Sequence, residues 1–195
     1  MNWSMGETQD LAIRASKGAG LPWGLAEEAS FAVAWLEQRN LPGVEALAKY
    51  LESIGQPNDY HAGFCPIGNG SWISDSGNWL GSFPLEVRQP LLLAPFIAQV
   101  VKNKTLNLAW AQNLLHISNN DAHIAAQSTL LGHALESCTL AVSDATFAEA
   151  KHSERIRDDR EPWMNVLLEF AQRTYAPASE MSRLLGAGAG LNDND

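Results

Sequence analysis

Leu115-His116-Ile117-Ser118-Asn119-Asn120-Asp121-Ala122-His123-Ile124 consists of two short alternating runs about a pair of asparagines. Asparagine tolerates left-handed backbone, so Asn119-Asn120 suits a two-residue hairpin turn. That turn sets Ser118 opposite Asp121, Ile117 opposite Ala122 and His116 opposite His123. Side chains alternate across a strand, so Leu115, Ile117, Ala122 and Ile124 share one face. His116, Ser118, Asp121 and His123 share the other. The apolar set is the core side, which leaves the histidines facing outward. Two opposed imidazoles with a carboxylate one pair away have the donor types for zinc. Metal sites usually need a third or fourth ligand and a supporting shell, whereas a solvated hairpin face needs neither. No metal is expected here, and His116, His123 and Asp121 are the set that would hold one.

Outward from this hairpin, residues 91–142 are rich in β-branched and aliphatic side chains, broken by polar turns at Lys102-Asn103-Lys104 and Asn119-Asn120. They read as an antiparallel meander, with a helix over residues 124–135 as the alternative there. Between Gln56 and Gln89, Gly63, Gly68, Gly70, Gly77 and Gly81 with Pro57, Pro66 and Pro84 exclude a long helix. A loop of that length without structure is unusual in a compact domain, so short strands are expected in it. Residues 71–74 and 78–81, joined around Asp75-Ser76-Gly77, form the best hairpin candidate.

Both chain ends read as helical. Ser4 and Glu7 have capping-box spacing, followed by Met5, Thr8, Leu11, Ala12 and Ala15 on one face, with Gly18 as a stop. A second helix starts near Pro22 with Leu25, Ala29, Ala32, Val33 and Leu36 in register, and ends at Asn40 and Pro42. Val44, Leu47, Ala48, Leu51 and Ile54 stripe a third before Gly55. After Asp144 the helical pattern returns. Lys151 to Glu161 is a mixed-sign run expected to be solvated. Pro162 suits a first helical position, with Trp163, Val166, Leu167, Phe170 and Ala171 as the buried face. A short helix is expected over residues 179–185. The predicted fold is α+β: a single domain over 1–195, with a helical layer from both ends packed on an antiparallel sheet from the middle. Its parts are three helices over 1–55, a mainly β part over 56–143 and a helical part over 144–190.

A chain of 195 residues with 46% hydrophobic and 18% charged side chains can bury a sizeable core. Its net charge of −9 disfavours nucleic acid, and residues 105–150 contain no lysine or arginine to line a phosphate track. The best apolar run, residues 91–98, is too short for a bilayer and contains Pro95, so no membrane partner is expected. Met1-Asn2-Trp3-Ser4 lacks the basic flank and apolar stretch of a signal peptide. Cys65 and Cys138 are far apart, with no paired spacing, as in two free thiols of a reducing compartment. The expected location is cytoplasmic.

Two segments carry a resemblance. One is Lys17-Gly18-Ala19-Gly20 with Trp23-Gly24-Leu25-Ala26-Glu27-Glu28-Ala29 and Trp35-Leu36. The other is Thr174-Tyr175-Ala176-Pro177-Ala178-Ser179-Glu180-Met181-Ser182-Arg183 with Gly186-Ala187-Gly188-Ala189-Gly190 and Asn192-Asp193-Asn194-Asp195. Together they resemble a family of bacterial proteins of about this length, catalogued only as a domain of unknown function. The resemblance implies a complete bacterial chain and carries no catalytic residue.

Several motifs invite chemistry and are weighed against plain structure. Gly18 to Gly24 follows a helix rather than a strand and misses the dinucleotide spacing by one residue, so a tight inter-helix turn is expected. Glu27 and Glu28 would repel an anion at that helix start. Gly186 to Gly190 leads only to the C-terminus. His61 precedes Cys65 in a Gly/Pro-rich loop, which does not establish a nucleophile with its base, and a structural cysteine is expected. Trp72 and Trp79 could stack a planar ligand, but tryptophan is more often a core residue. Ser179, Glu180, Ser182 and Arg183 are the densest functional set: Arg183 can recognise a carboxylate beside hydroxyl donors, while the plain alternative is a capped, solvated helix end. Two alternative functions of different kinds follow, the first preferred. The first is a small-molecule-binding protein or enzyme acting on a carboxylate-bearing metabolite, using Arg183, Glu180, Ser179 and Ser182 with Glu27. The second is a non-catalytic homo-oligomeric interaction subunit whose Gly-Ala tail packs on a neighbouring chain. No cofactor follows from the residues.

Overall fold

The computed structural model describes residues 3–54, 64–77, 83–119, 121–126, 130–132, 135–147 and 152–174. Three helices open the chain, α1 (Met5–Gly18), α2 (Trp23–Gln38) and α3 (Gly43–Ser53), where the apolar periodicity places them. The capping box is complete: Ser4 Oγ accepts from Glu7 N at 3.2 Å and Glu7 Oε2 accepts from Ser4 N at 2.8 Å. Those bonds hold the Glu7 carboxyl below the ordinary range, the Ser4 backbone bond most of all. Gly18 ends α1 where the chain meets α6 (Glu161–Gln172), and a Cβ there would lie 1.8 Å from the Phe170 carbonyl oxygen. The stretch from Gly18 to Gly24 is the tight inter-helix turn expected, with Gly20 at φ 96°.

The glycine-rich region differs from the expected hairpin. Residues 71–74 belong to a helix, α4 (Pro66–Ser76), and residues 78–81 lie outside the described residues. Cys65 caps the helix, its Sγ accepting from Gly68 N at 3.3 Å, Pro66 takes the first turn and Gly77 closes it at φ 64°. Two internal glycines weaken a helix by roughly 1 kcal/mol each. Tertiary packing offsets this: Gly70 lies against the Phe96 ring, where a Cβ would come within 2.3 Å of the ring carbons. One short strand does lie in this region, β1 (Leu85–Arg88).

The aliphatic run after it is also helical rather than part of the meander. A 3-10 turn over Pro90–Leu93 runs into α5 (Ala94–Val100). Leu91, Leu92, Leu93, Ala94, Phe96 and Ile97 are all fully buried. A run buried all round shows no period, so spacing alone cannot separate strand from helix. Lys102-Asn103-Lys104 accordingly joins a helix to a strand, with Asn103 at φ 52°.

The meander proper is β2 (Thr105–Trp110), β3 (Asn113–Ile117) and β4 (Ala122–Ala126), and β5 (Leu135–Ser143) returns beside β2. All pairings are antiparallel, in the order β1-β5-β2-β3-β4. Residues 124–126 are strand rather than helix. The hairpin register is the predicted one: His116 faces His123 and Ile117 faces Ala122. A further turn, Ala111-Gln112, joins Trp110 to Asn113 with Ala111 at φ 45°. Leu106, Leu108, Trp110, Leu115 and Ile117 bury one sheet face against the helical layer, so the fold is α+β.

Residues 152–160 are not simply solvated. Ser153 N donates to Gln38 O at 2.7 Å, Ile156 N donates to Trp3 O at 3.2 Å, and Ile156 and Arg160 are buried. On α6 the buried face is Met164, Leu167, Phe170 and Ala171, with Trp163 and Val166 at its edge. No helix among the described residues is long and apolar enough to cross a membrane.

Candidate functional site

The C-terminal end of α2 gathers buried charge. Pro42 precedes α3 without a side chain that could cap it. Glu37 supplies the missing acceptor, its Oε1 accepting from Val44 N at 2.9 Å. The same oxygen accepts from Arg160 Nε at 3.2 Å, while Oε2 is buried without a hydrogen-bond partner among the described residues. Burial pushes the Glu37 carboxyl above its ordinary 4.5, against the pull of the Val44 N–H and the Arg160 guanidinium. Two residues on, Arg39 stacks over the Trp35 ring at 3.7 Å, donates to Trp35 O at 2.9 Å and sets its Nε 3.7 Å from Asp121 Oδ1. These two pairs join α2 to the segment before α6 and to the β3–β4 turn.

Beside them a cleft of about 400 Å³ opens between α3, β4 and residues 157–160. Its charged wall holds Lys49, Arg157 and Arg160 with Glu45 and Asp159. Lys49 pairs with Glu45 at 2.9 Å, donates to Leu131 O at 3.2 Å and lies 5.1 Å over the Trp163 ring. Arg157 grips Asp159 through Nε at 3.3 Å and Nη2 at 3.0 Å. Pro42, Ile124, Leu130 and Leu131 add apolar surface to its lining. A planar guanidinium is the side chain best shaped for a carboxylate, and here two lie three residues apart, one of them, Arg160, on a buried anchor. Sequence spacing could not find this set, because its members come from four separated segments.

A second cleft, about 470 Å³, lies at one end of the sheet and includes Lys104, Ser118, Asp144 and Phe147. Phe147 stacks on both imidazoles, with centroids 6.4 Å from His116 and 5.8 Å from His123. His116 Nδ1 hydrogen-bonds Asn107 Oδ1. Asp121 does not join them. Its carboxylate is buried, accepts from Ala122 N at 2.8 Å and faces Arg39. The trio His116, His123 and Asp121 is therefore not assembled as one outer face, because a buried cation draws the carboxylate inward. Among the described residues, no group of three His, Cys, Asp or Glu side chains could hold a metal ion.

Of the other candidates, Glu27 is exposed on α2. Its neighbour Glu28 has its carboxyl pushed up by burial, with Asp75 and Glu27 adding to the effect. Ser179, Glu180, Ser182 and Arg183, the tail from Gly186, His61 and Trp79 lie outside the described residues. Trp72 is 53% exposed, against the expectation of a core residue, because α4 turns it away from the Ile67 and Ile73 side. Cys65 is a buried helix cap and Cys138 a buried strand residue, both free thiols. Burial pushes the Cys138 thiol up to about 12, with Glu136 adding to it.

A family model described as "Protein of unknown function (DUF3726)" matches residues 3–80, the stretch that holds α1 to α4. Those residues are similar to a domain of unknown function and include the Trp23–Ala29 segment of the resemblance, while the Thr174–Asp195 segment lies outside the match. No curated protein and no solved structure matches the chain.

Proposed function

We propose that the protein binds a small carboxylate-bearing metabolite, as a binding protein or an enzyme acting on it, in the cleft between α3, β4 and residues 157–160. The observation that carries this is Arg160. It lines the cleft while its Nε is anchored on buried Glu37, so one guanidinium is held in place without a ligand. Preorganised donors lose less on binding than mobile surface cations do. Arg157 stands at the rim as a second fork. The cytoplasm is the proposed location, supported by two buried unpaired thiols, and the acidic charge opposes nucleic acid as a partner.

The test is calorimetric titration of the full chain with a panel of small carboxylates, amino acids among them, at constant ionic strength. At least one should bind saturably, and Arg157→Gln should weaken it. A panel with no binder refutes the reading. Arg183→Lys belongs to the same series: weakened binding would bring Ser179, Glu180, Ser182 and Arg183 into the site, and unchanged binding would remove them.

A second reading, a non-catalytic homo-oligomeric subunit, is favoured by Trp23 and Trp72, which are 64% and 53% exposed on the adjoining helices α2 and α4. Large exposed aromatics are typical of interfaces. Light scattering tests it: a monomer mass across the working concentration range excludes it.

A further inference from the structure

The charge balance of the cleft specifies more than a carboxylate. Lys49, Arg157 and Arg160 are matched by Glu45, Asp159 and, behind Arg160, Glu37. The six groups form two separate sets: Glu45–Lys49 at 2.9 Å, and Arg157–Asp159–Arg160–Glu37 with steps of 3.0, 3.5 and 3.2 Å. Among the described residues, equal numbers of each sign leave no net charge to attract a simple anion. A carboxylate entering alone would compete with Asp159 for its guanidinium partners and leave that side chain facing a like charge.

A ligand with an ammonium group next to its carboxylate avoids this conflict. Its carboxylate takes the guanidinium and its ammonium takes Asp159, so both halves of the Arg157–Asp159 pair find new partners together. That pair is half-exposed, so the exchange uncovers no buried charge. Arg160 supports it from below. Its side chain is 10% exposed, its Nε and Nη1 are engaged, and its Nη2 makes no hydrogen bond among the described residues. Apolar residues line the cleft as well, and the Leu131–Gly132 stretch is held in position: Lys49 donates to Leu131 O, and Gln89 Nε2 donates to Gly132 O. Pro42, Ile124, Leu130 and Leu131 supply the hydrocarbon in that lining, within reach of whatever extends from a charged head. A volume of about 400 Å³ is at the small end for ligand pockets and suits a single amino acid rather than a peptide.

We infer that the cleft takes a free amino acid with an apolar side chain, an inference that rests on the carboxylate reading above. The probes are L-leucine and L-phenylalanine, each beside its analogue without the amine, 4-methylpentanoate and 3-phenylpropanoate, titrated calorimetrically into the full chain. At least one amino acid should bind roughly tenfold or more tightly than its carboxylate analogue, the loss of about one charge-assisted contact. Asp159→Asn should weaken the amino acid by a similar factor and leave the analogue unchanged or tighter. Arg157→Gln should weaken both. Analogues that bind as tightly as the amino acids, or an Asp159→Asn variant that binds leucine and phenylalanine undiminished, would overturn the zwitterion while leaving the carboxylate reading standing. If the amino acids fail but another carboxylate binds, only the zwitterion falls, and if nothing in either panel binds, both fall.

Discussion

The Glu37–Arg160 pair and the Arg157–Asp159 pair both draw an arginine from residues 157–160 and use the same two functional groups, in opposite surroundings. Glu37 and Arg160 are buried, and the carboxylate also caps α3. Arg157 and Asp159 are bonded more completely, through two contacts, yet both are about half-exposed. Burial changes what each pair does. A buried pair repays its desolvation only in part, but removing one partner strands a charge away from water. An exposed pair adds little because water competes for both ions. The buried pair therefore fixes geometry, and the exposed pair is free to exchange partners.

The most damaging way to probe this contrast is Glu37→Ala. It strands the Arg160 guanidinium and uncaps Val44, and should lower unfolding free energy by about 3–5 kcal/mol in urea titration. A loss under about 1 kcal/mol would erase the contrast, since surface pairs cost that much. Asp121→Ala should cost less, about 2 kcal/mol, because Arg39 keeps its bond to Trp35 O and its stack on the Trp35 ring. Glu37→Gln sharpens the picture through pH. The Glu37 carboxyl is raised in the folded state, so the folded chain holds a proton that the unfolded chain has released. That contribution is fully present below the ordinary 4.5 and is lost as pH rises from there through the folded value. Glu37→Gln should cost about 1 kcal/mol and flatten the fall in stability above that pH, read from urea midpoints at several pH values. The smallest effect belongs to Arg157→Gln, within about 0.5 kcal/mol by the same titration.

Periodic elements were legible and irregular ones were not. The three N-terminal helices follow from apolar spacing, a capping box and helix stops, all local properties of the chain. The His116–His123 register follows from alternation about Asn119-Asn120. By contrast, α4 carries helix signals at both ends, Cys65-Pro66 and Gly77, but its internal glycines argue against it. Their value appears only when Phe96 packs onto Gly70. Leu91 to Ile97 has no polar face to betray its period. The cleft was not legible at all, because Glu45, Ile124, Leu131 and Arg160 have no sequence relation.

The sequence by itself determined the fold class, the N-terminal helices, the turn between α1 and α2 and the hairpin register. Each depends on contacts between near neighbours or on a repeat that assigns faces without knowing what they meet. Only the tertiary structure decided that Glu37, Arg39, Asp121 and Arg160 are buried together and that a mixed-sign run before α6 forms one wall of a cleft. A charged residue carries no local mark of its burial; that depends on whether a distant partner arrives to replace the water it loses.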